Sequence, residues 1–136
     1  MARVSSFVVC NSINSFSSPE NGMISNIISP QIVLRPQFIP SDYSFGIAIG
    51  VIDIDLKQSN SMRFVIKDPD GEIINESGAS ELPADNRENT LPKEYQGYMI
   101  CIDIRNLSVK KEGEYEFVFY INGKEIGTKE IPIFRK

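Results

Sequence analysis

Five carboxylates in this sequence are spaced as a cation site would need them. Asp53 and Asp55 alternate at the end of an apolar run, and Asp68, Asp70 and Glu72 crowd a Pro-Gly turn a short way on. Hard oxygen ligands of this kind suit Ca²⁺. Turn chemistry accounts for the same residues without a metal, because Asp68-Pro69-Asp70-Gly71 puts Asp, Pro and Gly where a tight turn wants them. The expectation is therefore no metal ligand and no cofactor, with a calcium- or carbohydrate-binding module built on Asp53, Asp55, Asp68 and Asp70 as the alternative.

Catalytic chemistry finds little purchase. The chain has no histidine, which removes the commonest general base and the usual activator of a serine or cysteine nucleophile. It also lacks a phosphate-binding Gly-rich loop, a Gly-x-Ser-x-Gly elbow and any His- or Cys-based zinc spacing. A mechanism run by carboxylates alone would need a deep cleft. The reading is a protein that is not an enzyme, with no catalytic residue.

Composition narrows the partners. The net charge is −4, the pI is near 4.9, and Lys and Arg are scattered rather than clustered. Lys110-Lys111 is offset by Glu112, Glu114 and Glu116. Phosphate backbones and acidic bilayers are held by gathered cations, so neither nucleic acid nor a membrane surface is expected. The N-terminal apolar run is broken by Asn11 before a signal peptide could form, and no stretch reaches the ~18 apolar residues of a spanning helix. A cytoplasmic location follows as an expectation.

The elements that would carry any site are strands. With 136 residues, one domain over 1–136 should remove roughly two-thirds of the unfolded chain's surface from water. In Glu114–Ile121 the residues Tyr115, Phe117, Phe119 and Ile121 alternate on one face, which is the mark of a half-buried strand. Asn122-Gly123 suits the positive φ angles of a type I′ hairpin, and Lys124 to Phe134 reads as the returning strand. Pro132 donates no ladder hydrogen bond, which puts that strand at an edge or a bulge.

Gly97 to Leu107 and Met62 to Lys67 alternate similarly, and Glu72 to Asn75 reads as a short return. Tyr43 to Asp55 is apolar on both faces, as a central strand would be, with a bulge or close backbone approach near Gly50. Arg3 to Cys10 and Ile24 to Leu34 supply the first strands, with a kink or sheet switch at Pro30. No window holds a helical period, so at most a short helical turn is expected. The fold class is all-β: a two-sheet antiparallel sandwich of seven to nine strands.

Two segments are rich in loop formers, Asn11 to Gly22 and Glu76 to Glu94, the second through Gly78, Pro83, Asn86, Asn89 and Pro92. Loops of that length are often recognition surfaces. Phe38-Ile39-Pro40, between Pro36 and Tyr43, sits in what reads as a connection. Phe38, Ile39 and Tyr43 are thus candidate contacts to another protein, or else a satellite of the core. Self-association through an edge strand is the second partner expectation. Lys124 to Phe134 would be that edge, although Lys129 and Pro132 guard it.

Ile104 to Tyr115 joins two strands through a connection that ends in Gly113-Glu114-Tyr115. It resembles the E–F corner of immunoglobulin-like domains, where a buried Leu ends one strand and a Tyr opening the next bonds back to upstream backbone. The match would make Leu107 and Tyr115 the corner residues. The chain has no Trp, and Cys10 and Cys101 do not fall at the usual positions, so an antibody-type domain is not implied. The cysteines are left with two readings, free buried thiols or an inter-sheet disulfide resembling that of antibody domains.

The carboxylates, should they gather on loops at one end of a sandwich, resemble C2-type calcium sites. The chain as a whole is similar to small uncharacterised bacterial and phage-borne β-sandwich proteins. That similarity runs through the Phe-Val-Val-Cys start, the Asp-Pro-Asp-Gly turn and the Gly-Glu-Tyr-x-Phe strand before Asn-Gly. It implies a bacterial or phage origin and no established activity, and brings no catalytic residue with it; the reading of the chain itself is a structural or protein-binding accessory module.

Overall fold

A computed structural model of the chain describes residues 2–19, 22–85 and 88–136. The described residues form β1 (Arg3–Ser18), β2 (Gly22–Gln31), β3 (Ser41–Ile52), β4 (Asn60–Lys67), β5 (Ile73–Glu76), β6 (Ser80–Leu82), β7 (Gly97–Val109), β8 (Gly113–Ile121) and β9 (Lys124–Ile133). One short 3-10 turn, Lys93–Tyr95, precedes β7. No helix among the described residues is long and apolar enough to cross a membrane.

Two antiparallel sheets result. The first has four strands in the order β2-β1-β3-β7; in the second, β5-β4-β8-β9 is extended by β6, which pairs with β4. β5 meets the C-terminal half of β4 and β6 its N-terminal half, so together they make one interrupted edge. β3 is central, as its two apolar faces require. One face sends Phe45, Ile47, Ile49 and Val51 into the core, and Ala48 is covered on the other.

The inward rows of both sheets meet in one apolar layer. Phe117 of β8 lies 5.4 Å from Phe7 of β1 and 5.3 Å from Phe64 of β4, ring centroid to centroid. Tyr115, Phe117, Phe119, Ile131 and Ile133 are buried beside Ile47, Ile49 and Leu107. Each such side chain contributes ~1.5–3 kcal/mol on burial. The hydrophobic effect acting on these period-2 rows is what stacks the sheets.

Local features follow the chain chemistry. Ile121 pairs with Lys124 across Asn122-Gly123, with φ of 51° and 79°, the two-residue hairpin those residue types select. Opposite Gly50, β1 slips register between Val4 and Ser6, and a Cβ on Gly50 would stand 2.5 Å from the Ser6 hydroxyl oxygen. The Tyr115 hydroxyl donates to the Lys111 carbonyl at 2.7 Å, and Leu107 is buried. After β2 the chain leaves the first sheet for the second. Leu34 N–H donates to the Pro132 carbonyl at 2.9 Å, and the Leu34 carbonyl accepts from Phe134 N–H at 3.0 Å, forming a short parallel bridge.

Three sequence expectations need correction. Asn11 to Gly22 is no loop in its described part: β1 runs on to Ser18 and pairs with β2 from Cys10↔Pro30 to Ser18↔Gly22. Serine and asparagine suit a solvated ribbon as well as a loop, and here Ser15 and Ser25 hydroxyls meet across it at 3.0 Å. Glu76 to Glu94 is interrupted by β6 and the 3-10 turn, so its loop character is confined to shorter stretches; Asn86 lies outside the described residues. The second strand ends at Gln31, short of the expected Leu34, which bridges to β9 of the other sheet.

Candidate functional site

The four aspartates proposed to act together stand at opposite ends of the sandwich. Asp53 and Asp55 follow β3, beside the start of β4, whereas Asp68 and Asp70 follow its end. A strand rises ~3.3 Å per residue, so the eight residues of β4 separate the pairs by roughly 23 Å. No joint carboxylate cluster exists, and among the described residues no three His, Cys, Asp or Glu side chains are grouped to hold a metal. The direction of β4 is the reason: it carries the chain from one end to the other between the two acidic pairs.

Each pair has local work. The Asp68 carboxylate accepts from the backbone N–H of Asp70 and of Glu72, both at 2.9 Å, and so fastens its own turn. Asp70 is ion-paired with Lys111. Asp55 accepts from Lys57 N–H at 2.9 Å. These are the bonds that turn-forming carboxylates make in the absence of any ligand.

Between Asp55 and the β8–β9 hairpin sits a residue that sequence reading passed over. Asn60 is 2% exposed, yet its amide is satisfied on both sides. Its Nδ2 donates to the carbonyls of Asp55 at 2.9 Å and Gln58 at 3.1 Å, and its Oδ1 accepts from Asn122 Nδ2 at 3.0 Å. Asn122 Oδ1 in turn accepts from Ser61 N–H at 2.9 Å. A buried polar group so completed fixes geometry and leaves no donor free for a substrate. The open groove of about 430 Å³ beside it, bordered by Asp53, Gln58 and Lys124, has this closed network as its floor.

Phe38, Ile39 and Tyr43 are divided in role. Ile39 and Tyr43 are half-buried against the core, and Tyr43 stacks on Phe45 with centroids 6.0 Å apart. Burial pushes the Tyr43 phenol above its ordinary value. Phe38 is 71% exposed. Its connection is held in place, since Pro36 is buried and its carbonyl accepts from Lys136 N–H at 2.9 Å. The result is an aromatic ring presented to solvent on an anchored loop.

The cysteines share one sheet, β1 carrying Cys10 and β7 carrying Cys101, with β3 between them. An inter-sheet disulfide is therefore excluded, and both thiols are free. Cys10 is fully buried, and burial first, then the nearby Cys101 and Asp103, push its thiol up from the ordinary value. It is covered because the β1–β2 ribbon folds back over Gly46. A Cβ there would lie 2.9 Å from both Cys10 Sγ and Ile13 Cγ1. A buried thiol with a raised pKa is a poor nucleophile.

One further groove, of about 420 Å³, opens between the first sheet and β9 and is lined by Phe7, Val9, Pro30, Ile32, Glu130 and Pro132. It is largely apolar, and Ile32 at its rim is 92% exposed. It brings no nucleophile and base together.

Fold and surface together define a two-sheet antiparallel β-sandwich in which the buried Asn60 ties a loop to a hairpin. The chain belongs to a family of unknown function (DUF6941), whose family model matches residues 5–134. A search of curated proteins returned no match.

Proposed function

We propose that this domain is a non-enzymatic module that binds another protein, as an accessory or structural part of a bacterial or phage system, with Phe38 as its principal anchor. The observation that carries the reading is a contrast along one short stretch: Ile39 in the connection and Tyr43 at the start of β3 are packed against the core while Phe38 is 71% exposed. An aromatic held out by an already ordered loop loses little entropy on binding, which is why such residues dominate protein interfaces. The absence of histidine and the use of Asp55, Asp68 and Asn60 in structural bonds support a role without catalysis.

An immunoglobulin-like relationship is part of this proposal. The Tyr115–Lys111 bond and buried Leu107 support it, as does the division of strands, in which β1, β3 and β7 share one sheet and β4, β8 and β9 the other. We place the protein in the cytoplasm, where both thiols stay reduced.

The experiment is affinity capture from a native lysate with the wild type, Phe38→Ala and an exposed control, Thr128→Ala. A specific protein retained by the wild type and control but lost with Phe38→Ala, at unchanged melting temperature, supports the reading. Identical capture by all three, or capture by none, refutes it.

A further inference from the structure

The sheet edges of this molecule are not guarded alike. β9 carries Lys124, Glu125, Lys129 and Glu130, and Leu34 covers it where Pro132 stands. β5 and β6 are four and three residues long and bear Glu76 and Glu81. β7 presents Asp103 and Arg105, ion-paired at 3.0 Å. Short edges, charge and proline are the usual means of keeping an unpaired ladder from templating a second strand.

β2 has none of these along most of its length. Among the described residues it pairs with β1 alone. From Asn11 to Leu34 the sequence has a single charged residue, Glu20, where the chain average of 24% would place about six. Beyond Cys10 the ribbon turns Ile13 toward Gly46, so alternation sends Phe16, and with it Ile24 and Ile28 on β2, to the opposite face. Phe16 and Ile28 are 48% and 41% exposed there. The arm thus combines an open backbone edge with an apolar outer face and almost no charge.

We propose that β2 is the pairing edge for a second copy of this chain, laid antiparallel about a two-fold axis so that the two β1–β2 ribbons, which run past the last β1–β3 pair at Cys10, join as one four-stranded ribbon. An antiparallel edge is its own complement, because half a turn sets each outward N–H of the strand against a carbonyl of its copy. Two molecules of net charge −4 repel each other, and an uncharged edge is where they approach with least opposition. Ser29 has a φ of 52°, which leaves Gly22 to Ile28 as regular strand, ~20 Å of ladder. A ladder alone falls short of the ~1,200 Å² of a stable interface. The dimer is therefore a weak one, populated at high concentration, with Phe16, Ile24 and Ile28 lying on one face of the joined ribbon.

This inference goes beyond the partner reading and makes no use of Phe38. The test is light scattering on size-exclusion fractions of the full chain, from low to several hundred micromolar. The expected result is a mass rising from one chain toward two. Asn26→Lys, which places a cation mid-edge, should move the midpoint at least ten-fold higher, while Thr128→Lys on β9 should leave it in place. A monomer at every concentration overturns the inference, as does a dimer that Thr128→Lys dissolves and Asn26→Lys does not. Should Asn26→Lys disturb folding, amide exchange of the wild type decides: protection at Gly22–Ile28 must rise with concentration, and constant protection there overturns the proposal. Capture through Phe38 is read separately, so either idea can fail alone.

Discussion

Asn122 reaches across from the β8–β9 turn and donates to Asn60 at 3.0 Å, joining two residues 62 positions apart in the sequence. The same Asn122 supplies the positive φ that its hairpin needs, so one residue shapes a turn and ties it to the start of β4. Asn60→Ala removes the buried partner of Asn122 and two donors to the Asp55–Gln58 loop. A loss of ~2–3 kcal/mol is expected, read as a lower midpoint in urea unfolding with an unchanged slope.

Tyr115→Phe keeps the ring in the core and deletes one bond, leaving the Lys111 carbonyl without its 2.7 Å donor. The expected cost is ~1–3 kcal/mol. Chemical denaturation of the pair of proteins checks it; equal stability would mean that the corner bond is replaced by water.

Gly46→Ala puts a methyl where Cys10 Sγ and Ile13 already press. The ribbon should lift from β3, with a loss of ~1–3 kcal/mol from overpacking. Alkylation of Cys10 under native conditions should then be faster than in the wild type, and mass spectrometry of the labelled protein reports it.

Alkaline pH should weaken the fold. Burial is the leading cause that raises Cys10 above 9.0 and Tyr43 and Tyr115 above 10.0. The unfolded chain therefore releases these protons first, and the native state binds more of them as pH climbs. Stability is full below the ordinary values and falls as pH rises through the raised native ones. With no histidine to titrate, melting temperatures should be nearly flat between about pH 6 and 8 and decline above about 9.

Millimolar calcium should leave the melting temperature where it is, because Asp53 and Asp55 sit a β4 length from Asp68 and Asp70. A calcium-dependent rise of several degrees would require a site at one of these ends that uses other oxygens.

Much of this architecture was legible in the residues because burial writes itself as alternation. Tyr115, Phe117, Phe119 and Ile121 could only share a face, and Asn122-Gly123 could hardly be anything but a hairpin. What escaped reading was long-range. The acidic pairs look close because only a dozen or so positions separate Asp55 from Asp68, yet a strand spends those positions on distance. Asn60 carries no sequence mark, since its burial depends on Asn122 arriving from another hairpin. The Asn11–Ser18 stretch has the composition of a loop, and only its pairing with β2 makes it a strand. Exposure of Phe38 likewise depends on where Ile39 and Tyr43 dock.

The bridge from Leu34 to the far end of β9 has a kinetic meaning as well. Arg35 reinforces it by donating to the Phe134 carbonyl, a contact between residues 99 positions apart. No local turn can bring such segments together, so the chain must lose the freedom of nearly its whole length before these bonds repay it. Folding is accordingly expected on the millisecond-to-second scale of non-local β topologies, with this seam forming only after the two sheets have found one another.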